Sequence, residues 1–595
     1  MIVTAMLAAY ICLVVQAQQP SPADEKAEDT KTGAITGTVV NENGQPLAGA
    51  AVFVSAVNSA GQGRTTTTDS EGNFQVKGLD RAFYRVGASI PAYVSPPRDP
   101  DDSQPSTYYR LGDSLRLVQI KGGVITGMVI NSSAEPVVKV NVRASMIRDA
   151  NGQPPKFGIA QFGERTTDDR GVYRIYGLAP GTYVVSAGGS GTRASSFSIN
   201  AYDTDAPTYA PASSRDTAAE ITVRAGDETS SVDIRYRGEP GRVVSGTANG
   251  PIGPGVYASF FITMMVVSNA TPQSIASSFQ GPGSRGFAFT GVVDGDYELI
   301  AQSQLGGGET TISEPRRIRV RGADVTGIEL TTKPLPSIVG KVTLEPSRAP
   351  ECKGKRRPSF AETLVTAARN ERDSSVPAGF PRFLGALAAP DKEGAFALRN
   401  VQLGQYNFDT RFFAKYWYLQ SISLQRGEPA AAMGAAASQP VDAAGNWTTV
   451  KLGDRVGNLN ITLAEGAASL RGQLTTAEGQ KLPPKLVIYL VPAERDKADD
   501  VLRFFVTPVT SDGDFSLNNL APGRYWLLAR PTSENASVTN FKLRLPDEST
   551  TRSKLRRDSE AAKTELELKP CQNLTDFKLP MKMFTATVRD SAAAH

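Results

Sequence analysis

Apolar and polar residues alternate along this chain in short runs, and glycine-containing turns break the runs apart. Phe74 and Val76 alternate with Gln75 and Lys77 ahead of Leu79, and Tyr173 and Ile175 repeat the pattern ahead of Leu178. A period of two gives a strand one buried face and one wet face. Helical periodicity is nearly absent. The exception is a charged stretch from Ser549 to Lys563, which reads as an amphipathic helix inserted in the last domain. Many short strands with turn signals every 8 to 12 residues or so predict β-sandwiches rather than α/β units.

Three elements recur in one order, five times. The first is an apolar residue close to a glycine in a strand: Ile35-Thr36-Gly37, Ile125-Thr126-Gly127, Val244-Ser245-Gly246, Ile338-Val339-Gly340 and Leu470-Arg471-Gly472. The second is a turn leading into an aromatic strand, as in Asp69-Ser70-Glu71-Gly72-Asn73-Phe74 and Asp168-Asp169-Arg170-Gly171-Val172-Tyr173. Its later forms are Arg285-Gly286-Phe287, Asp391-Lys392-Glu393-Gly394-Ala395-Phe396 and Ser511-Asp512-Gly513-Asp514-Phe515. The third carries a tyrosine after a second turn, clearest in Leu178-Ala179-Pro180-Gly181-Thr182-Tyr183 and Leu520-Ala521-Pro522-Gly523-Arg524-Tyr525. Asp-x-x-Gly is turn chemistry, because Asp bonds its own backbone and Gly accepts the positive φ. A period of about 90 to 130 residues suits whole domains rather than solenoid repeats.

A closing strand pair ends each later unit, as in Ile221-Thr222-Val223 with Val232-Asp233-Ile234, and Val450-Lys451-Leu452 with Leu459-Asn460-Ile461. The boundaries that follow are a signal peptide at 1–17, a disordered linker at 18–31, and sandwiches at 32–121, 122–238, 239–333, 334–465 and 466–583. A C-terminal tail occupies 584–595. The glycine-strand opening, then Gly44-Gln45-Pro46-Leu47-Ala48-Gly49-Ala50-Ala51-Val52, then Thr68 to Phe74, closely resembles the carboxypeptidase regulatory-like domain. The resemblance is good for the first, second and fifth units. Unit three lacks the Asp of its turn, and unit four carries an insertion around Cys352 to Pro381. It implies an all-β chain, a tandem array of about five seven-stranded Greek-key sandwiches of prealbumin-like (transthyretin-like) form, related to collagen-adhesin B-type repeats and starch-binding-like domains. It also implies an extracellular, non-catalytic accessory role, and it brings no ligand with it.

Export is read from the residues as well. Ile2 to Val15 is an uncharged apolar run, and Val15-Gln16-Ala17 supplies a signal-peptidase site. The run is short for a bilayer span, so no stable membrane span is expected after cleavage. The expected location is periplasmic, cell-surface or extracellular, in a bacterial envelope. Removing Cys12 with the leader leaves Cys352 and Cys571. Two readings stand for them: one disulfide joining the last two domains, or two separately buried thiols.

Net charge is +4 over 595 residues, close to neutral, which argues against a nucleic-acid role. Basic residues cluster locally at Arg316, Arg317, Arg319 and Arg321 and at Lys353, Lys355, Arg356 and Arg357, and both read as solvated surface. The one histidine is His595, so a Ser-His-Asp triad, an HExxH site and a two-His metal centre are all excluded. Gly281-Pro282-Gly283-Ser284-Arg285-Gly286 matches GxGxxG but opens no helix and reads as a turn. Acidic turns such as Asp69 with Glu71 fall short of a calcium loop. Lys341 is the lysine to consider for an isopeptide crosslink, without evident partners. No catalytic residue, cofactor or metal is therefore expected.

One aromatic concentration remains, Phe412-Phe413-Ala414-Lys415-Tyr416-Trp417-Tyr418. Core packing accounts for at least half of these rings, and Tyr416, Trp417 and Tyr418 are the candidate carbohydrate contacts. The leading expectation is a secreted or envelope-associated, non-enzymatic scaffold or spacer that binds an envelope protein or a glycan. The alternative is carbohydrate recognition by starch-binding-like modules. An uncharacterised hydrolase comes third.

Overall fold

The computed structural model describes residues 32–57, 63–96, 108–155, 162–189, 200–251, 259–267, 273–304, 309–370, 372–373, 386–425, 439–476, 482–483, 485–532 and 539–581. The expected leader, linker and tail, with Cys12 and His595, lie outside them. Before residue 540 every described regular element is a strand or a single 3-10 turn.

Unit one sets the plan. Its opening strand Thr32–Asn41 runs antiparallel to Asn73–Asp80 on one side and parallel to Ser114–Lys121 on the other. Gly63–Thr67, Ala51–Ala56 and Tyr84–Ser89 make the facing sheet. The opening strands Gly123–Ile130, Arg242–Asn249, Ser337–Glu345 and Ala468–Thr475 repeat this placement between a turn-led antiparallel strand and a parallel closing strand. Each unit encloses an apolar core, with Ile35, Ile125, Val244, Ile338 and Leu470 from the opening strands all essentially inaccessible.

The recurring glycine has a steric cause. A Cβ at Gly37 would collide with the Leu115 carbonyl of the parallel strand and stand 2.8 Å from Cζ of Phe74. At Gly472 the same intruders are the Phe577 carbonyl and Phe515, whose Cζ would lie 2.7 Å away. Glycine and the aromatic after the turn are thus two halves of one contact, which is why they recur together. The turn itself behaves as its composition dictates: Asp69 Oδ1 accepts the Glu71 and Asn73 N–H groups at 3.1 and 2.7 Å, and Gly72 takes φ +74°. In unit five Thr510, not Asp512, supplies that oxygen, accepting the Asp514 N–H at 3.0 Å.

The tyrosine of the third element pins the strand it leads. Tyr84, Tyr183, Tyr297 and Tyr525 each donate their hydroxyl to the carbonyl four residues back, at 2.6 to 2.8 Å, and Tyr406 does the same to Gln402. Burial raises the Tyr406 hydroxyl to about 12 and pushes Tyr183 higher still, so both remain neutral donors at physiological pH. Tyr183→Phe is expected to cost unit two about 1 kcal/mol, the usual net value of one such bond, read as a lower urea midpoint for that unit.

Two features differ from the sequence reading. The closing strands do not pair with each other: Ile221–Val223 joins Gly181–Ala187 in one sheet, while Ile234–Arg235 joins the opening strand in the other. The intervening Gly226 turn crosses between sheets and shuts the sandwich. In unit three, Thr310–Ser313 pairs with both Gly295–Gln304 and Val325–Pro334, fusing the two sheets into one of eight strands.

The expected helix spans Ser549–Ala562, and a shorter one, Asn540–Arg544, precedes it. Leu543, Leu555 and Ala562 pack on Val487, Val491, Phe504, Val506 and Leu528, covering the outer face of the unit-five sheet. Both faces of Leu486–Pro492 are therefore buried, and its sequence LVIYLVP is apolar throughout for that reason.

The units are not beads on a string. Val501 and Leu502 of unit five sit in the unit-four core, and Met265, Ile300 and Ile312 of unit three pack against Leu403 and Leu452 of unit four. Unit one also reaches unit four. Phe83 and Tyr108 share a cluster with Leu364, Leu387 and Phe413, with the Phe83 and Phe413 rings 5.4 Å apart. Arg110 lies 4.2 Å over the Phe413 ring and Arg411 5.8 Å from it.

Candidate functional site

The aromatic run at 412–418 is taken apart by the fold. Residues 412–416 lie outside any strand, and Trp417–Leu424 begins only afterwards. Phe412 packs on the unit-four core, Phe413 goes to the unit-one contact, and Trp417 is 0 % exposed at the centre of the unit-four core. Trp417 is consequently no carbohydrate contact, since a ring with no accessible face cannot stack on a sugar. Tyr416 and Tyr418 are half-buried at the junction with unit five. The Tyr418 ring points at the linker, 4.0 Å from where a Cβ on Gly466 would stand.

What meets at this junction is a set of features far apart in sequence. Cys352 and Cys571 are joined by a disulfide, with Cα atoms 5.3 Å apart. The Cys571 N–H donates to the Gly466 carbonyl at 2.9 Å, and the Gly466 N–H donates to the Tyr416 carbonyl at 2.8 Å. A turn after Cys352, closed by the Lys355 N–H on the Cys352 carbonyl at 3.2 Å, brings the basic run back over the same tyrosine. Lys355 Nζ stands 4.5 Å from the Tyr416 ring centre, and Lys415 Nζ 5.5 Å from it. The cysteines, the basic run and part of the aromatic run thus form one locus, half of it contributed by the unit-four insertion.

Charge at this locus is unbalanced. Arg356 pairs with Glu362 at 3.1 Å. Among the described residues Lys353, Lys355, Arg357, Lys415 and Lys569 make no ion pair, and Glu351 is the one carboxylate in residues 350–357. The other basic cluster differs: Arg317 pairs with Glu298 at 2.7 Å, and Arg319 and Arg321 both reach Asp296.

The remaining candidates resolve into structure. Asp168 spends Oδ1 on the Arg170 and Val172 N–H groups, and the Val172 bond chiefly holds its carboxyl below the usual range. Gly281 to Gly286 is a turn between the strands Gln273–Gln280 and Gly286–Val292. Lys341 is exposed on its strand, away from the core an isopeptide bond needs. No group of three His, Cys, Asp or Glu able to hold a metal occurs among the described residues. Exposed aromatics do occur on unit three, where Phe261 (43 % exposed) and Phe279 (54 %) lie opposite each other in register on the outer sheet face. Sequence reasoning missed this pair. The signal was there in Phe260-Phe261, since two adjacent large residues on a strand cannot both face one core.

Among curated proteins, none matches the chain. Among solved structures, the Bacillus anthracis TIE protein is similar at 14% identity and TM-score 0.14, over 51% of each chain, so this chain spans about half its length. The minor pilin GBS52 of Streptococcus agalactiae is similar at 15% identity and TM-score 0.19, over 35% of this chain and 97% of that one. For the major pilin subunit BcpA of Bacillus cereus the values are 10% and 0.14, over 51% and 99%. Scores this low carry no argument. A family model described as "Carboxypeptidase regulatory-like domain" matches residues 34–102, the first unit short of its closing strand. The chain therefore carries a carboxypeptidase regulatory-like domain at its first unit and repeats that unit's strand plan in four further sandwiches.

Proposed function

We propose that this protein is an exported, non-catalytic scaffold whose five sandwiches act as one braced body rather than as a flexible spacer. The observation that carries this reading is the packing between units that are not neighbours in sequence, centred on Phe413 against Phe83. A chain selected only for reach gains nothing from folding back on itself. A disulfide across the last two units supports an oxidising compartment. Small-angle scattering tests the idea. Phe413→Ala removes the ring at the centre of the contact, and central interface rings are worth about 2–4 kcal/mol. Its maximum dimension is expected to grow while circular dichroism stays unchanged. Equal dimensions for both proteins would count against the bracing.

A second reading, recognition of neutral carbohydrate, is favoured by Phe261 and Phe279, whose exposed rings offer the apolar surface that sugar C–H groups stack on. Glycan-array binding that disappears in Phe261→Ala/Phe279→Ala would establish it.

A further inference from the structure

We infer that the junction of units four and five is a docking surface for an acidic polysaccharide, held through Lys355, Lys415 and the exposed cations Lys353, Arg357 and Lys569 around the Cys352–Cys571 bridge. This rests on the scaffold reading and adds to it the chemistry of a partner.

Like charges crowd the tyrosine. Two ammonium groups lie within 5.5 Å of one ring centre, and no described carboxylate pairs with either. The Tyr416 ring offsets part of that charge through its π face. A polyanion laid across these side chains and their exposed basic neighbours would offset more. Elsewhere on the protein clustered arginines carry their own acids, as Arg319 and Arg321 do with Asp296. At this locus the basic side chains are left to solvent and to whatever anion docks there.

Geometry then narrows the ligand. Lys353, Arg357, Lys415 and Lys569 are exposed, so the site is a surface, and a single small anion there would stay in competition with water and salt. A polymer with regularly spaced anions engages several cations at once and gains by effective concentration. Lysines lie over Tyr416, which leaves its ring poorly placed to stack on a nucleobase or a neutral sugar. Recognition falls to charge. The disulfide beside the patch supports an oxidising compartment, outside the cytosol where nucleic acids are concentrated. The staple also anchors the backbone of the basic turn, so less of the chain needs ordering on binding.

Affinity electrophoresis of the full oxidised chain in gels containing polygalacturonate, heparin or neutral dextran tests this. Retardation is expected with polygalacturonate and heparin and not with dextran, falling at least tenfold between low and 0.5 M salt. Lys355→Gln/Lys415→Gln should weaken it about tenfold. Arg319→Gln should leave it unchanged. Scattering profiles of the lysine variant should match the wild type, so a failure of binding is separable from a failure of the braced body. Equal retardation by dextran, tighter binding to double-stranded DNA than to either polyanion, or full binding by the lysine variant would each overturn the proposal.

Discussion

Trp417→Ala is expected to destabilise units four and five by about 3–5 kcal/mol, the usual cost of emptying a large aromatic from a packed core. The indole is the largest fully buried side chain of the described residues, and it shares its core with Ile338 of the opening strand and Leu459, Ile461 and Leu463 of the closing strand. Val501 and Leu502 of unit five line the same core, so the loss should reach both units. Its Nε1 has no acceptor among the described residues, so Trp417→Phe gives up volume without giving up a hydrogen bond and should cost less. Calorimetry checks this: the transition that includes the last two units is expected at lower temperature in Trp417→Ala. An unchanged thermogram would mean that the ring does not fill this core.

Removing the disulfide should have an effect of similar size. The bridge closes a chain segment of 219 residues, and loop closure of that length restricts the unfolded chain by about 5 kcal/mol in the entropic account, against about 2–4 kcal/mol usually measured. Cys352 is 1 % exposed and Cys571 8 %, so reduction requires the junction to open first. Cys352→Ser/Cys571→Ser is expected to unfold units four and five at lower denaturant. Reductant should lower the wild-type midpoint to the same value and leave the variant unaffected. Two freely titrating thiols in the native protein would contradict the bridge.

Much of the fold was legible because each repeated element is set locally. Asp69 to Phe74 states its own turn, and Gly37 with Phe74 states a contact across the sheet before the sheet is seen. The closing strands were legible as strands but not as members of opposite sheets, because alternation specifies faces and says nothing of partners. The short helix Asn540–Arg544 was missed, since five residues carry too little periodicity to register. The site was legible only in pieces. Cys352, Lys355, Tyr416 and Cys571 each stand out in sequence, but what joins them is a hydrogen bond through Gly466 and a bond between distant cysteines. The contact of Phe413 with Phe83 has no local signal at all, because it depends on how three intervening junctions turn the chain.

Hydrogen exchange of the native chain, followed by mass spectrometry, tests most directly whether five separately cored sandwiches are each built around a central opening strand. Amides of a central strand exchange last. The account predicts slow exchange at each of the five opening strands, Thr32–Asn41, Gly123–Ile130, Arg242–Asn249, Ser337–Glu345 and Ala468–Thr475, with faster exchange in the turns. Fast exchange throughout any one of these strands, or slow exchange centred on the turns instead, would contradict it.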